Sequence, residues 1–291
     1  MDPNIITALI GAGGGLVSGS FKAPLQSMND LWYATVGFRT DLLRQKAEEN
    51  NRLAIEEYAK NIANEISEIP EENVKEPDYS IAGPALEAST YFVNNENLRK
   101  MFAKLVASSM DDRLKDKTRT AFVEFVKQMN SLDAQLLTIF SSNTTLPIAE
   151  IHYKLSSPYT GYNTAFTEVL PLMENISNND RPLIPSALVN LRRLGLVAYD
   201  YNEYSVDYDY ENNFSKTPEY ISASNQIQVA LQSITAIKEL DKFPQLQDSQ
   251  ETLEFKNQLP ALSKIGESTV DIAKGQCRLT ELGKDFISVC L

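Results

Sequence analysis

"IPSALVNLRRLGLVAYD", residues 184–200, decides the fold of this chain. It reads as a helix that stops at Gly195, a residue free to take the left-handed C-terminal cap, and then as a short strand. The final stretch, "CRLTELGKDFISVCL" at 277–291, gives a short strand, Thr280 as N-cap and a closing helix. Upstream, "SLDAQLLTIF" at 131–140 starts a helix with Ser131 as its cap and Asp133 placed to meet the helix dipole. "TGYNTAFTEVLPLMENI", 160–176, reads as a further helix.

Helix, helix, helix–strand, then strand–helix is the order of a winged-helix domain, here with a long insertion in the wing. "LRRLGLV" and "LTELGKDF" resemble the end of many such domains. The expected fold is therefore mainly α: a helical N-terminal region, then a winged-helix-like α+β C-terminal domain. The segments are 1–28, glycine-rich and apolar; 29–130, helical; and 131–291, winged-helix-like.

Such a domain reads DNA through its second motif helix, which here offers Arg192 and Arg193. After it, "YDYNEYSVDYDYENN" at 199–213 carries five acids and no base, where a wing would meet phosphates. Its tyrosines alternate as in a strand and suit packing or protein contact. The charge favours a protein partner, with a DNA-binding regulator using Arg192 and Arg193 as the alternative.

The N-terminal half is patterned for helices. Tyr58, Ile62, Ile66 and Ile69 repeat at four, four and three residues, while "RQKAEENNR" gives a solvated face. Pro70 and Pro77 interrupt the chain, and Gly83 with Pro84 marks the first turn of a new helix. Asn95 caps the clearest amphipathic helix, whose Leu98, Met101, Phe102, Leu105 and Val106 share one face. Phe122, Val123, Val126 and Met129 belong to another. Core packing is the reading of each stripe.

Composition is that of a folded protein: 43% apolar, 23% charged, with 39 acids against 27 bases and a net charge of -12. That balance opposes unassisted binding to nucleic acid or an anionic membrane. Cys277 and Cys290 lack metal-ligand spacing and suggest a reducing cytoplasm rather than a disulfide framework. No secretory signal is evident.

The 19 uncharged residues between Asp2 and Lys22 hold two overlapping patterns. Gly11 and Gly13 begin a dinucleotide fingerprint, but Leu16 stands at its sixth position, and no Gly-Lys-Ser/Thr follows for a phosphate loop. Gly11, Gly15 and Gly19 recur every fourth residue, laying bare patches along one helical face. That face suits self-association or membrane contact, although glycine and serine weaken both hydropathy and helix propensity.

Catalytic material is sparse. His152 is the only histidine, reads as a surface or loop residue in "IAEIHYKL", and has no nucleophile elbow to serve. One histidine and two separated cysteines make no conventional zinc cluster. Glu71, Glu72, Glu76 and Glu87 are the carboxylates nearest to an acid-pair pattern, beside a proline-rich connector where solvation explains them. No cofactor, no metal and no enzyme activity are expected.

Residues 68–136 carry a family likeness. "PEE" at Pro70–Glu72, "GPALE" at Gly83–Glu87 and "LRKMFAKL" at Leu98–Leu105 occur in order, and "LTELGKDFISVC" closes the chain. In these strings the chain resembles the abortive-infection alpha family, bacterial proteins linked to defence against bacteriophage. Before the "FVE" helix the family often has histidine or proline, where this chain has Arg119, Thr120 and Ala121. The likeness implies a role in phage resistance and supplies no catalytic residue; it does not reach the N-terminal glycines.

Overall fold

The computed structural model describes residues 22–37, 49–156, 160–174, 176–240 and 250–291. The calls on Gly11, Gly15 and Gly19 lie outside the described residues. Through chain order the structure runs α1 (Lys22–Trp32), a π-helical turn, α2 (Glu49–Ser67), α3 (Tyr79–Ser89), α4 (Glu96–Ser108), α5 (Ala121–Lys127) and α6 (Ser131–Ser142). Then come β1 (Thr145–Lys154), β2 (Tyr162–Val169), α7 (Ile184–Arg193), β3 (Val197–Asp200), α8 (Tyr210–Phe214) and α9 (Pro218–Leu240). The chain closes with α10 (Gln250–Gly266), β4 (Thr269–Leu279) and α11 (Glu281–Cys290). It is mainly helical, with one four-stranded sheet in the order β2-β1-β4-β3.

Two compact units emerge: Met1–Thr144 with Val189–Val197 and Leu279–Leu291, and Thr145–Leu188 with Ala198–Arg278. The first is organised around α4, against which α2, α3, α5, α6 and α11 all pack. Nine of the 13 residues of α4 are buried, among them Leu98, Met101, Phe102 and Val106. A helix that apolar on nearly every side has to sit inside its neighbours. Asn95 caps it by accepting the Leu98 N–H at 3.3 Å. Phe122 meets Phe286 edge-on at 5.1 Å, closing α11 over α5.

The signals around α7 and α11 hold. Gly195 takes φ +75°, the left-handed geometry that ends a helix. Thr280 accepts the Gly283 N–H at 2.9 Å and donates its hydroxyl to the Gly195 carbonyl, so one side chain ties both helix ends. At Gly283 a Cβ would stand 2.0 Å from the Leu196 carbonyl oxygen, a distance only glycine avoids.

Four local expectations are corrected. Residues 162–169, expected in a helix, form β2, because Tyr, Thr, Phe and Val favour an extended backbone and pair with β1. Ser131 does not cap α6. Asn130 does, accepting N–H bonds from Leu132 and Asp133 at 2.8 and 3.0 Å, while Asp133 accepts the Asn130 N–H at 2.9 Å. Helix α3 begins before Gly83 and Pro84, because Asp78 caps it through the Ser80 N–H at 2.9 Å; Pro84 lies inside. The tyrosine-rich stretch leaves the strand at Asp200, whose carboxylate accepts the Asn202 and Glu203 N–H groups at 2.9 and 3.0 Å and turns the chain.

In the second unit, β1 and β4 pair antiparallel from Thr145↔Arg278 to Lys154↔Thr269. Ala149, Ile151, Tyr153 and Ile272 form the inner face, packed with Tyr210, Phe214, Ala223 and Ile227 from α8 and α9. Between β3 and β4 lie α8, α9 and α10, with α9 packed along α10.

Truncating Phe102 to alanine removes the largest fully buried ring of α4. The variant is expected to lose about 3–5 kcal/mol of stability, read as a lower denaturant midpoint in chemical unfolding followed by circular dichroism.

Candidate functional site: a charged cleft beside the central helix

Sequence strings far apart meet at one cleft of the first unit, with a volume of about 230 Å³. Helix α2 and its end supply Glu65, Glu68 and Ile69; α4 supplies Lys104 and Ser108. The turn after α4 adds Asp111 and Arg113, and α11 adds Ser288. The connector helps to build this place. Its Lys75 N–H donates to the Met110 carbonyl at 2.9 Å, its Asp78 N–H to the Ser109 carbonyl at 3.2 Å, and Val74 bridges to Asp111.

Asp111 anchors the cleft. Its side chain is 4% exposed, and its carboxylate accepts the Arg113 backbone N–H at 2.9 Å, Nε at 2.9 Å and Nη2 at 2.6 Å. Burial pushes the Asp111 pKa up, but the Arg113 hydrogen bonds and charge outweigh it and hold the carboxyl below its usual range. Arg113 is raised in turn, chiefly by its hydrogen bonds to Asp111. Lys104 stands 3.8 Å from Glu65, and Ser108 Oγ donates to the Val289 carbonyl at 2.8 Å, fastening α11 to α4. The wall is thus of mixed charge, and its one deeply buried carboxylate is already paired.

The residues singled out by sequence lie elsewhere. Arg192 and Arg193 are exposed at the end of α7, and neither lines the cleft. Arg193 donates Nε and Nη2 to Asn190 Oδ1 at 3.2 and 2.7 Å, while Asn190 Nδ2 donates to Asp133 at 2.9 Å. Arg193 is thereby tied to the cap of α6. Glu71 and Glu72 sit in an exposed 3₁₀ turn, and Glu76 and Glu87 are exposed. Among the described residues no group of three or more His, Cys, Asp or Glu side chains is placed to hold a metal ion. Burial pushes the Cys277 thiol up to about 12 and Cys290 well above its ordinary value, so both are poor nucleophiles.

His152 is not on a loop or at the surface. It lies in β1, 4% exposed, with Nε2 2.9 Å from Glu150 and its ring stacked on Tyr162 at 4.0 Å. Strand alternation puts it opposite Asp271 of β4, on the face away from the inner core.

A cavity of about 430 Å³ in the second unit has Arg181 in its wall, 3% exposed. Its guanidinium is held on three sides, donating to Glu219 at 3.0 and 2.9 Å, to the Leu170 carbonyl at 2.7 Å and to the Pro171 carbonyl at 3.3 Å. With four of its five N–H donors spent on protein acceptors, Arg181 acts as a strut.

Sequence reasoning missed Lys104, Asp111, Arg113 and Ser288 as a group. The usable signal was "SSMDDRL" at 108–114, where an acid two residues before an arginine caps a tight turn.

The chain is thus mainly helical, with a cleft of mixed charge beside its most enclosed helix. A family model described as abortive infection alpha matches residues 50–290, and the chain belongs to that family. Residues 1–49, Gly11, Gly15 and Gly19 among them, fall outside the match. No curated protein and no solved structure matched the chain.

Asp111→Asn is expected to destabilise the chain at neutral pH by breaking its pairing with Arg113. Because the folded-state pKa lies below the unfolded one, that stability is present above about pH 4 and disappears as pH falls through the folded value. Urea midpoints for wild type and variant should therefore converge on acidification.

Proposed function

We propose that this chain is a bacterial antiphage protein of the abortive-infection type, acting by contact with a protein partner, with itself or with membrane, and performing no chemistry of its own. The family match over residues 50–290 carries the defence role. The cleft beside α4 supports the mode of action, because two of the strings that mark the family contribute to it, through Lys104 and Ser288. We infer further that the C-terminal half is winged-helix-like. The sheet order β1-β4-β3, the Gly195 stop and the Thr280 cap favour that reading, with the α9–α10 hairpin as an insertion in the wing.

Charge on the wing favours a protein over DNA. The bases of β4 are countered locally: Arg278 lies 2.9 Å from Glu203, and Lys274 lies 3.6 Å from Glu211. A phosphate backbone would have to displace those acids. For the membrane, no helix among the described residues is long and apolar enough to cross one. Contact with lipid therefore falls to the stretch holding Gly11, Gly15 and Gly19.

The test is protection in a bacterial host challenged with phage, scored by plaque number. Lys104→Ala removes a cleft cation whose partner is 3.8 Å away and costs little stability. It is expected to lower protection at least about tenfold at unchanged expression; full protection would remove the cleft from the mechanism. Nucleotide turnover by purified protein, abolished by one substitution, would overturn the non-enzymatic reading. Liposome flotation of full-length protein against a deletion of residues 1–21 checks the membrane contact, which is expected to vanish with the deletion.

A further inference from the structure

Helix α9 presents to solvent a face that ought to carry charge and carries none. Its buried stripe is Ala223, Ile227, Ala230, Ile234 and Ile237, spaced at four, three, four and three residues. The opposite stripe holds Ile221, Asn225, Gln228, Val229 and Gln232, all exposed. Ile221 and Val229 are 48% and 59% exposed. From Tyr220 to Ile237 there are 18 residues without a charge, in a chain that is 23% charged and would place about four there at its own average. The groove beside this face, with a volume of about 630 Å³, is lined by nine residues, again without a charge.

We propose that this face of α9 is the contact through which two copies of the chain pair, antiparallel, about a two-fold axis at Asn225. The reading deepens the proposal that the protein works by surface contact and rests on it. Three observations select a second copy. First, a chain of net charge -12 repels itself, so a self-contact needs an uncharged face. Second, the stripe is complementary to its own inverse. Ile221 and Val229 lie four residues either side of Asn225, about 6 Å each way along the axis, so an antiparallel copy sets each isoleucine against a valine. Third, Asn225 then faces Asn225 of the other copy. An amide is both donor and acceptor, so the two bond reciprocally and fix the register, as a polar residue does within an apolar helical seam.

Other occupants fit less well. Asn225, Gln228 and Gln232 would be costly in hydrocarbon, and the stripe has no base for anionic headgroups or nucleic acid.

The experiment uses the purified full-length chain without phage or host factors, so its failure and the failure of the defence reading are separable. Sedimentation should show a dimer with a Kd of about 1–10 μM. Ile221→Glu with Val229→Glu brings four acids together across the axis and should weaken pairing at least about a hundredfold, with unchanged circular dichroism. Because Cys277 and Cys290 are buried at 0% and 1% exposure, Asn225→Cys adds one accessible thiol. It should form a disulfide-linked dimer on mild oxidation at least about tenfold faster than Val206→Cys, at a site 87% exposed and off the face. A monomer at about 100 μM, or equal cross-linking at 225 and 206, would overturn the proposal. So would a monomer that floats with phosphatidylglycerol vesicles and loses flotation in the double variant, which would give the face to membrane.

Discussion

Enclosure of helix α4 is the constraint on which the first unit depends. With nine of its 13 residues buried, this helix cannot exist in water alone, and α2, α3, α5, α6 and α11 are arranged to cover it. Enclosure also forces a solution for its one buried charge. Arg99, 8% exposed, donates Nη1 to the Val93 carbonyl at 2.7 Å and Nη2 to Glu57. A buried guanidinium without such partners would cost several kcal/mol, so Arg99 also pins α2 to α4. The cleft follows from the same packing. Where α4 runs out, its last turn, the end of α2 and the last turns of α11 converge around the tight turn of Asp111, and polar side chains fill what the apolar ones leave.

Much of this was legible in the sequence where the chemistry is local. The caps at Asn95 and Thr280 and the stop at Gly195 depend on residues within a turn, and their side chains leave little choice. The apolar face of α4 was equally plain, although periodicity gave one stripe where the structure buries nearly the whole helix. Less legible was β2, whose edge position leaves it half-solvated, so the burial that disciplines alternation is weak. At α6, Asn130 and Ser131 are adjacent and both good caps. The choice fell to Asn130 because Asp133 completes the reciprocal bond and Ser131 accepts one from Asn97 at 2.7 Å instead. His152 was misplaced because a lone histidine between apolar residues reads alike on a loop or a strand. The cleft itself was not readable. Its parts come from three separate stretches, and only the fold says that Glu65 and Lys104 look into the same space as Ser288.

The two units divide labour in the way their surfaces are finished. In the first, charges are paired close at hand, as Arg113 with Asp111 and Arg119 with Asp285. In the second, Arg181 is spent on internal carbonyls and on Glu219, and α9 presents amides and aliphatic groups in place of charge. Polar groups that are already satisfied make poor catalysts and good specifiers of shape. That is the common thread from the cleft to the hairpin.

One further consequence lies in the route of the chain. The first unit runs to Thr144, is rejoined by Val189–Val197, and closes only when Leu279–Leu291 returns to it after the rest of the second. Until α11 has left the ribosome, Phe122 lacks the ring of Phe286, and Ser108 lacks the Val289 carbonyl. A chain cut before residue 281 would leave those two contacts of the first unit unmade and its core open on that side. The return of α11 is thereby what seals the first unit.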